Sequence, residues 1–103
     1  MREALNSKQY DLEDRTAKFA INVRDFVRKL PRTIANIEDG KQVIRSSGSV
    51  GANYIEANEA LSKKDFLMRI KISRKEAKES MYWLKLINTD GDGDLDKDRK
   101  SLL

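Results

Sequence analysis

The apolar period of this chain runs unbroken through two glycines. From Ile37 to Ile55 the residues Val43, Ile44, Val50 and Tyr54 recur at helical spacing, with Gly48 and Gly51 in phase between them. A loop at SSGSVG would lose that phase, so the pattern favours a continuous helix over a break. Each glycine costs a helix about 1 kcal/mol against alanine, and Ser47, Gly48 and Gly51 together make a small-residue track that another backbone can approach closely. At about 100° per residue, Ile44, Gly48, Gly51 and Ile55 fall on one side and Val43, Val50, Tyr54 and Ala57 on the adjoining one. The joint arc is roughly 200° wide, about twice the stripe of a surface helix. Such a helix needs more than one neighbour. A phosphate-cradling loop is disfavoured, because no Gly-Lys-Ser/Thr follows and no strand precedes.

The rest of the chain supplies the neighbours. Asp11 is a candidate N-cap, and Leu12, Thr16, Phe19, Ala20, Val23, Phe26, Val27 and Leu30 recur at three and four until Pro31 stops the helix. Residues 1–10 lack such a period and read as a lead. The central helix is expected from near Thr33, with Ile34 and Ile37 on its core side, to Glu59 or Ala60. Ser62-Lys-Lys-Asp65 resembles a capping box ahead of a third helix that ends near Ile87. Its expected core is Phe66, Ile70, Ser73, Ala77, Ser80, Met81 and Leu84. A fourth helix begins near Asp96 and has room for roughly two turns. The fold class that follows is all-α, an antiparallel up-down-up-down four-helix bundle with a short, truncated fourth helix, as one domain over residues 1–103.

Composition removes whole classes of chemistry. There is no Cys and no His, so thiol and imidazole nucleophiles, disulfides and the usual zinc sites are excluded. No secretory leader or membrane span is visible, and a cytoplasmic protein is expected. Residues 1–87 carry 18 basic and 12 acidic side chains, and residues 88–103 carry 3 and 5, so the basic surplus lies in the body. Lys64, Lys71, Lys75, Lys78 and Lys85 line up on the third helix roughly 140° from its core. This ridge is either a solvated surface or a contact for nucleic acid or another acidic partner.

Beside the ridge runs a second stripe of Ile72, Glu76, Glu79 and Trp83, where Ile72 and Trp83 suggest a contact with a fourth helix or another subunit. The two carboxylates have the spacing of an acid and base pair but no third catalytic group, so no catalytic residue is assigned. The tail from Asn88 to Arg99 follows the ligand spacing of a calcium loop, with Asp90, Asp92, Asp94 and Asp96 as candidate oxygen donors. Arg99 stands where the bidentate glutamate belongs. An acidic turn whose aspartates cap the next helix is the expected role, with no metal and no cofactor.

Three motifs carry a resemblance: RSSGSVGANYIEA from Arg45 to Ala57, KKDF from Lys63 to Phe66, and RKEAKESMYWL from Arg74 to Leu84. On them the chain resembles the four-helix bundle proteins encoded by intervening sequences in bacterial 23S ribosomal RNA genes, also called S23 ribosomal proteins. The resemblance implies the same up-down-up-down bundle. By similarity to the accessory variability determinant of diversity-generating retroelements, it also implies a homopentameric barrel with a basic surface, working with nucleic acid and a reverse transcriptase. Arg45, Asn53, Glu56, Glu76 and Glu79 match the family's polar motif and are expected to bond between helices or subunits. The function expected is a non-enzymatic, self-associating bundle that binds RNA or DNA. The alternatives are a purely structural homo-oligomer and a weakly metal-binding module built on the Asp-rich tail.

Overall fold

The computed structural model describes residues 2–103, with side chains from Asp11 onward. Four helices follow one another: α1 (Arg2–Arg28), α2 (Ile34–Asn58), α3 (Lys63–Leu86) and α4 (Gly93–Leu102). Local chemistry sets most of their ends. Pro31 lies in the α1–α2 connection, and Thr33 caps α2 by accepting the Asn36 amide at 3.1 Å. Ser62 does the same for α3 through Asp65. Two ends differ from expectation. Helix α1 begins at Arg2, so Asp11 is an interior residue: Glu3, Ala4, Leu5, Lys8 and Gln9 are strong helix formers, and propensity continues the helix where no apolar period marks it. Helix α4 begins at Gly93, three residues before Asp96, because Asp92 accepts the amides of Asp94 and Leu95.

The helices alternate in direction. Gly40 faces Val27 and Gly51 faces Thr16, so α1 and α2 are antiparallel. Ser46 meets Ser80, and Ser73 meets Val50, so α2 and α3 are antiparallel as well. Helix α4 turns back along α1, where Lys29 pairs with Asp98 at 3.5 Å. Its main partner is thus α1, and α2 lies between α1 and α3. Val23, Phe26, Leu30, Val43, Leu84, Ile87 and Leu95 form the buried core, with Phe19, Val27, Trp83 and Leu102 packed at its edge. Full burial of each large apolar side chain contributes about 1.5–3 kcal/mol.

The apolar arc of α2 is rotated from the expected one. Val43, Val50 and Ala57 are buried, but Ile34 is 85% exposed, and Ile37 and Ile55 are nearly half exposed. The buried centre is instead filled by Asn36, Gly40, Ser46 and Ser47, polar or small residues that hydropathy ranks low. Likewise Phe66 at the start of α3 is 39% exposed, and the centre of that helix's buried face is Glu76, Ser80 and Leu84. Gly51 explains the close approach of α1. A Cβ there would lie 2.9 Å from Thr16 Oγ1 and 3.2 Å from Thr16 Cβ. Gly48 has ordinary space, so the tight contacts are at Gly51 and at Gly40, which was not singled out.

Candidate functional site

The seam between α2 and α3 is built from hydroxyls and ion pairs. Ser46 and Ser80 share a buried hydrogen bond of 2.8 Å, Ser80 also donates to the Glu76 carbonyl, and Ser73 donates to the Val50 carbonyl at 2.7 Å. At the rim of this seam Arg45 reaches both Glu76, at 3.5 Å, and Glu79, at 3.2 Å. Farther along, Arg69 donates to Asn53. Four of the five polar-motif residues therefore tie α2 to α3 within one chain. Glu56 is exposed and joins none of these bonds.

The acidic residues of α3 lie away from its outer side. The helix has three acidic residues: Asp65 sits in its first turn, and Glu76 and Glu79 are turned to Arg45. Lys64, Lys71, Lys75, Lys78 and Lys85 are all exposed, and Arg74 shares their side. Among the described residues none of the five lysines has a carboxylate within ion-pair distance, although Glu79 is four residues from Lys75. Six cations uncompensated on one face raise the local anion concentration. Tyr82 stands among them, four residues after Lys78 and three before Lys85; that spacing was visible in the sequence and was not used. Of the second stripe, Trp83 rests partly on the bundle's own core and Ile72 is half-buried.

The Asp-rich tail serves the fold. Asp90 (φ 57°) and Gly91 (φ 77°) form a tight turn closed by the Asp92 amide on the Thr89 carbonyl, and Asn88 Oδ1 accepts the Asp90 amide. Asp92 caps α4. Asp96 accepts the Thr89 hydroxyl at 2.6 Å and Arg99 at 3.0 Å. The Thr89 bond holds the Asp96 carboxyl below its ordinary pKa, against the opposing effect of desolvation and with the help of Arg99 and Lys100. Arg99 also donates to the Leu84 and Ile87 carbonyls, satisfying the end of α3. Among the described residues no group of three carboxylates is placed to hold a metal ion. The described residues also contain no helix long and apolar enough to cross a membrane.

A second cationic region lies between α1 and α2. Arg24, Arg28, Arg32 and Lys41 rim a groove of about 540 Å³ floored by Val27, Ile37 and Ile44, with no acidic residue among its lining. Arg24 and Arg28 are four residues apart on α1, but Arg32 lies beyond the end of that helix and Lys41 on α2, so spacing along the sequence does not gather the four. Asn36 beside it was also missed: its side chain bonds the Pro31 carbonyl and both the carbonyl and the amide of Asn88, joining the two connections at this end of the bundle.

The comparisons with known proteins agree with this architecture. A crystal structure of a protein of unknown function, from the S23 ribosomal protein family of Bacteroides thetaiotaomicron, is similar with a TM-score of 0.66 and 28% identity. The match covers 92% of this chain and 90% of that one. No curated protein matches the chain. A family profile described as 23S rRNA-intervening sequence protein matches residues 8–94, which cover α1 from its seventh residue, all of α2 and α3, and the first two residues of α4. The chain therefore belongs to the 23S rRNA-intervening sequence protein family.

Proposed function

We propose that this protein is a non-enzymatic, self-associating helical bundle that binds RNA or DNA through the outward face of α3. The observation that carries the proposal is the row of five exposed lysines, none paired with a described carboxylate; Glu79, the one α3 carboxylate four residues from a lysine of the row, is bonded to Arg45. Lysines spaced along one helix suit a run of phosphates, whose neutralisation releases counterions. Self-association is supported by apolar side chains left exposed on α1 and α2, among them Ile21, Ile37 and Ile55, and by the half-buried flank of Ile72 and Trp83. The homopentamer is the stoichiometry that the resemblance to the retroelement accessory determinant brings.

Fluorescence polarisation with 23S ribosomal RNA fragments at about 50 and about 200 mM salt tests the nucleic-acid role. Five phosphate contacts on a single strand predict roughly a hundredfold loss of affinity between the two conditions. Absence of salt-dependent binding at micromolar protein contradicts it and leaves a structural oligomer. Light scattering tests assembly separately: a mass near the 11.9 kDa of one chain contradicts self-association.

A further inference from the structure

We propose that the ligand of the α3 face is a single-stranded nucleic acid, with phosphates along the lysine row and an unpaired base stacked on Tyr82. The inference rests on the nucleic-acid role proposed above and deepens it. Tyr82 follows Lys75 by seven residues and Lys78 by four, and precedes Lys85 by three, so its ring projects from the same side of the helix as theirs. It is 56% exposed and outside the hydrophobic core. Its orientation is nonetheless supported: the Tyr82 and Trp83 rings make a T-shaped contact, at 5.3 Å between centroids and 69° between planes, and Trp83 rests against the core. A planar surface held open among cations is the combination by which proteins bind single strands.

The chemistry of the face separates this ligand from its competitors. Five of the six cations are lysines, point charges without the fork that reads base edges in a groove, with Arg74 the one guanidinium among them. The bases of a duplex are already stacked on one another, so a duplex would meet these charges and leave the phenol unused. A protein partner would have to cover the lysine row, and lysine is depleted at the centres of protein interfaces. An unstacked strand uses both features at once.

The test compares an oligouridylate of about twelve nucleotides with an RNA duplex of the same length. Binding is read by polarisation and by quenching of Trp83, the single tryptophan. The wild-type protein binds the single strand more tightly. Tyr82→Phe keeps that preference, whereas Tyr82→Ala and Tyr82→Leu weaken single-strand binding about tenfold and leave duplex binding unchanged. Equal affinity for both ligands, or a Tyr82→Leu protein that behaves as wild type, overturns the stacking role. If in that case joint substitution of Lys71, Lys75 and Lys78 by alanine still weakens both ligands, the phosphate contact stands and only the stacking is lost. If the wild-type protein binds neither ligand, the stacking role and the nucleic-acid role fall together. Circular dichroism of each variant confirms that the bundle is intact.

Discussion

Helix α2 meets its two neighbours by opposite means. Toward α1 the contact is made by removing side chains: Gly40 and Gly51 let Val27 and Thr16 approach to distances that a Cβ would not tolerate. Toward α3 it is made by adding polar groups, with Ser46, Arg45 and Asn53 each bonded across the seam. The first contact depends on shape, and the second on direction and charge. The polar seam has one consequence outside itself, because Glu79, which it holds at Arg45, is the one α3 carboxylate four residues from a lysine of the row, Lys75.

The glycine contact is the one that breaks most sharply. Gly51→Leu places a branched side chain against Thr16 and is expected to destabilise the bundle by about 2 kcal/mol or more in urea denaturation. Gly51→Ala puts a Cβ 2.9 Å from Thr16 Oγ1 and 3.2 Å from Thr16 Cβ, on a short β-branched side chain that cannot swing away, so it is expected to be less stable than the wild type despite a helix-propensity gain of about 1 kcal/mol. Adding Thr16→Ala removes the nearer of the two contacts, so the pair is expected to be more stable than the sum of the single effects.

Substituting Arg45 acts on the α2–α3 seam. Glu76 has a side chain only 10% exposed, and Arg45→Ala leaves it without its cation, at an expected cost of about 1–2 kcal/mol discounted for the half-exposed arginine. The same change releases Glu79 toward Lys75, four residues away, so nucleic-acid affinity is expected to fall a fewfold although Arg45 touches no ligand. Unchanged affinity would separate the seam from the lysine face. Ser46→Ala is expected to cost about 1 kcal/mol, since Ser80 retains the Glu76 carbonyl, and the Ser46→Ala/Ser80→Ala double variant less than the sum of the two.

The smallest effect concerns pH. Asp96 has a folded pKa below its unfolded value, so it binds protons more weakly in the native state. Its contribution is present above the unfolded aspartate value of about 3.9 and is lost as pH falls through the lower folded value. Thr89→Val removes the main cause, and its urea midpoint is expected to fall less between pH 5 and pH 3 than that of the wild type.

Features set by neighbours in sequence were legible. Pro31, Thr33 and Ser62 mark helix ends because a missing amide or a capping hydroxyl acts within one turn, and the phase through Gly48 and Gly51 showed that α2 is continuous. The lysine row was legible for the same reason, since spacing along one helix fixes which residues share a face. The buried centre of α2 was not. Ile34 and Ile37 have the hydropathy of core residues, but Asn36 and Ser46 take the interior because partners on other segments, Asn88 and Ser80, satisfy their polar atoms. The arginine groove was hidden likewise, for it joins side chains from two helices whose register is set by packing at Gly40.

The outward lysines of α3, proposed as the anion-binding face, are the feature on which the functional reading stands or falls. The most direct measurement is the dependence of log affinity on log salt for the wild-type protein and for the Lys71→Ala/Lys75→Ala/Lys78→Ala variant with one single-stranded RNA. Three lost phosphate contacts are expected to make the slope shallower by about 2. A slope unchanged in that variant but shallower when Arg24, Arg28 and Arg32 are replaced would contradict the claim and move the site to the groove between α1 and α2.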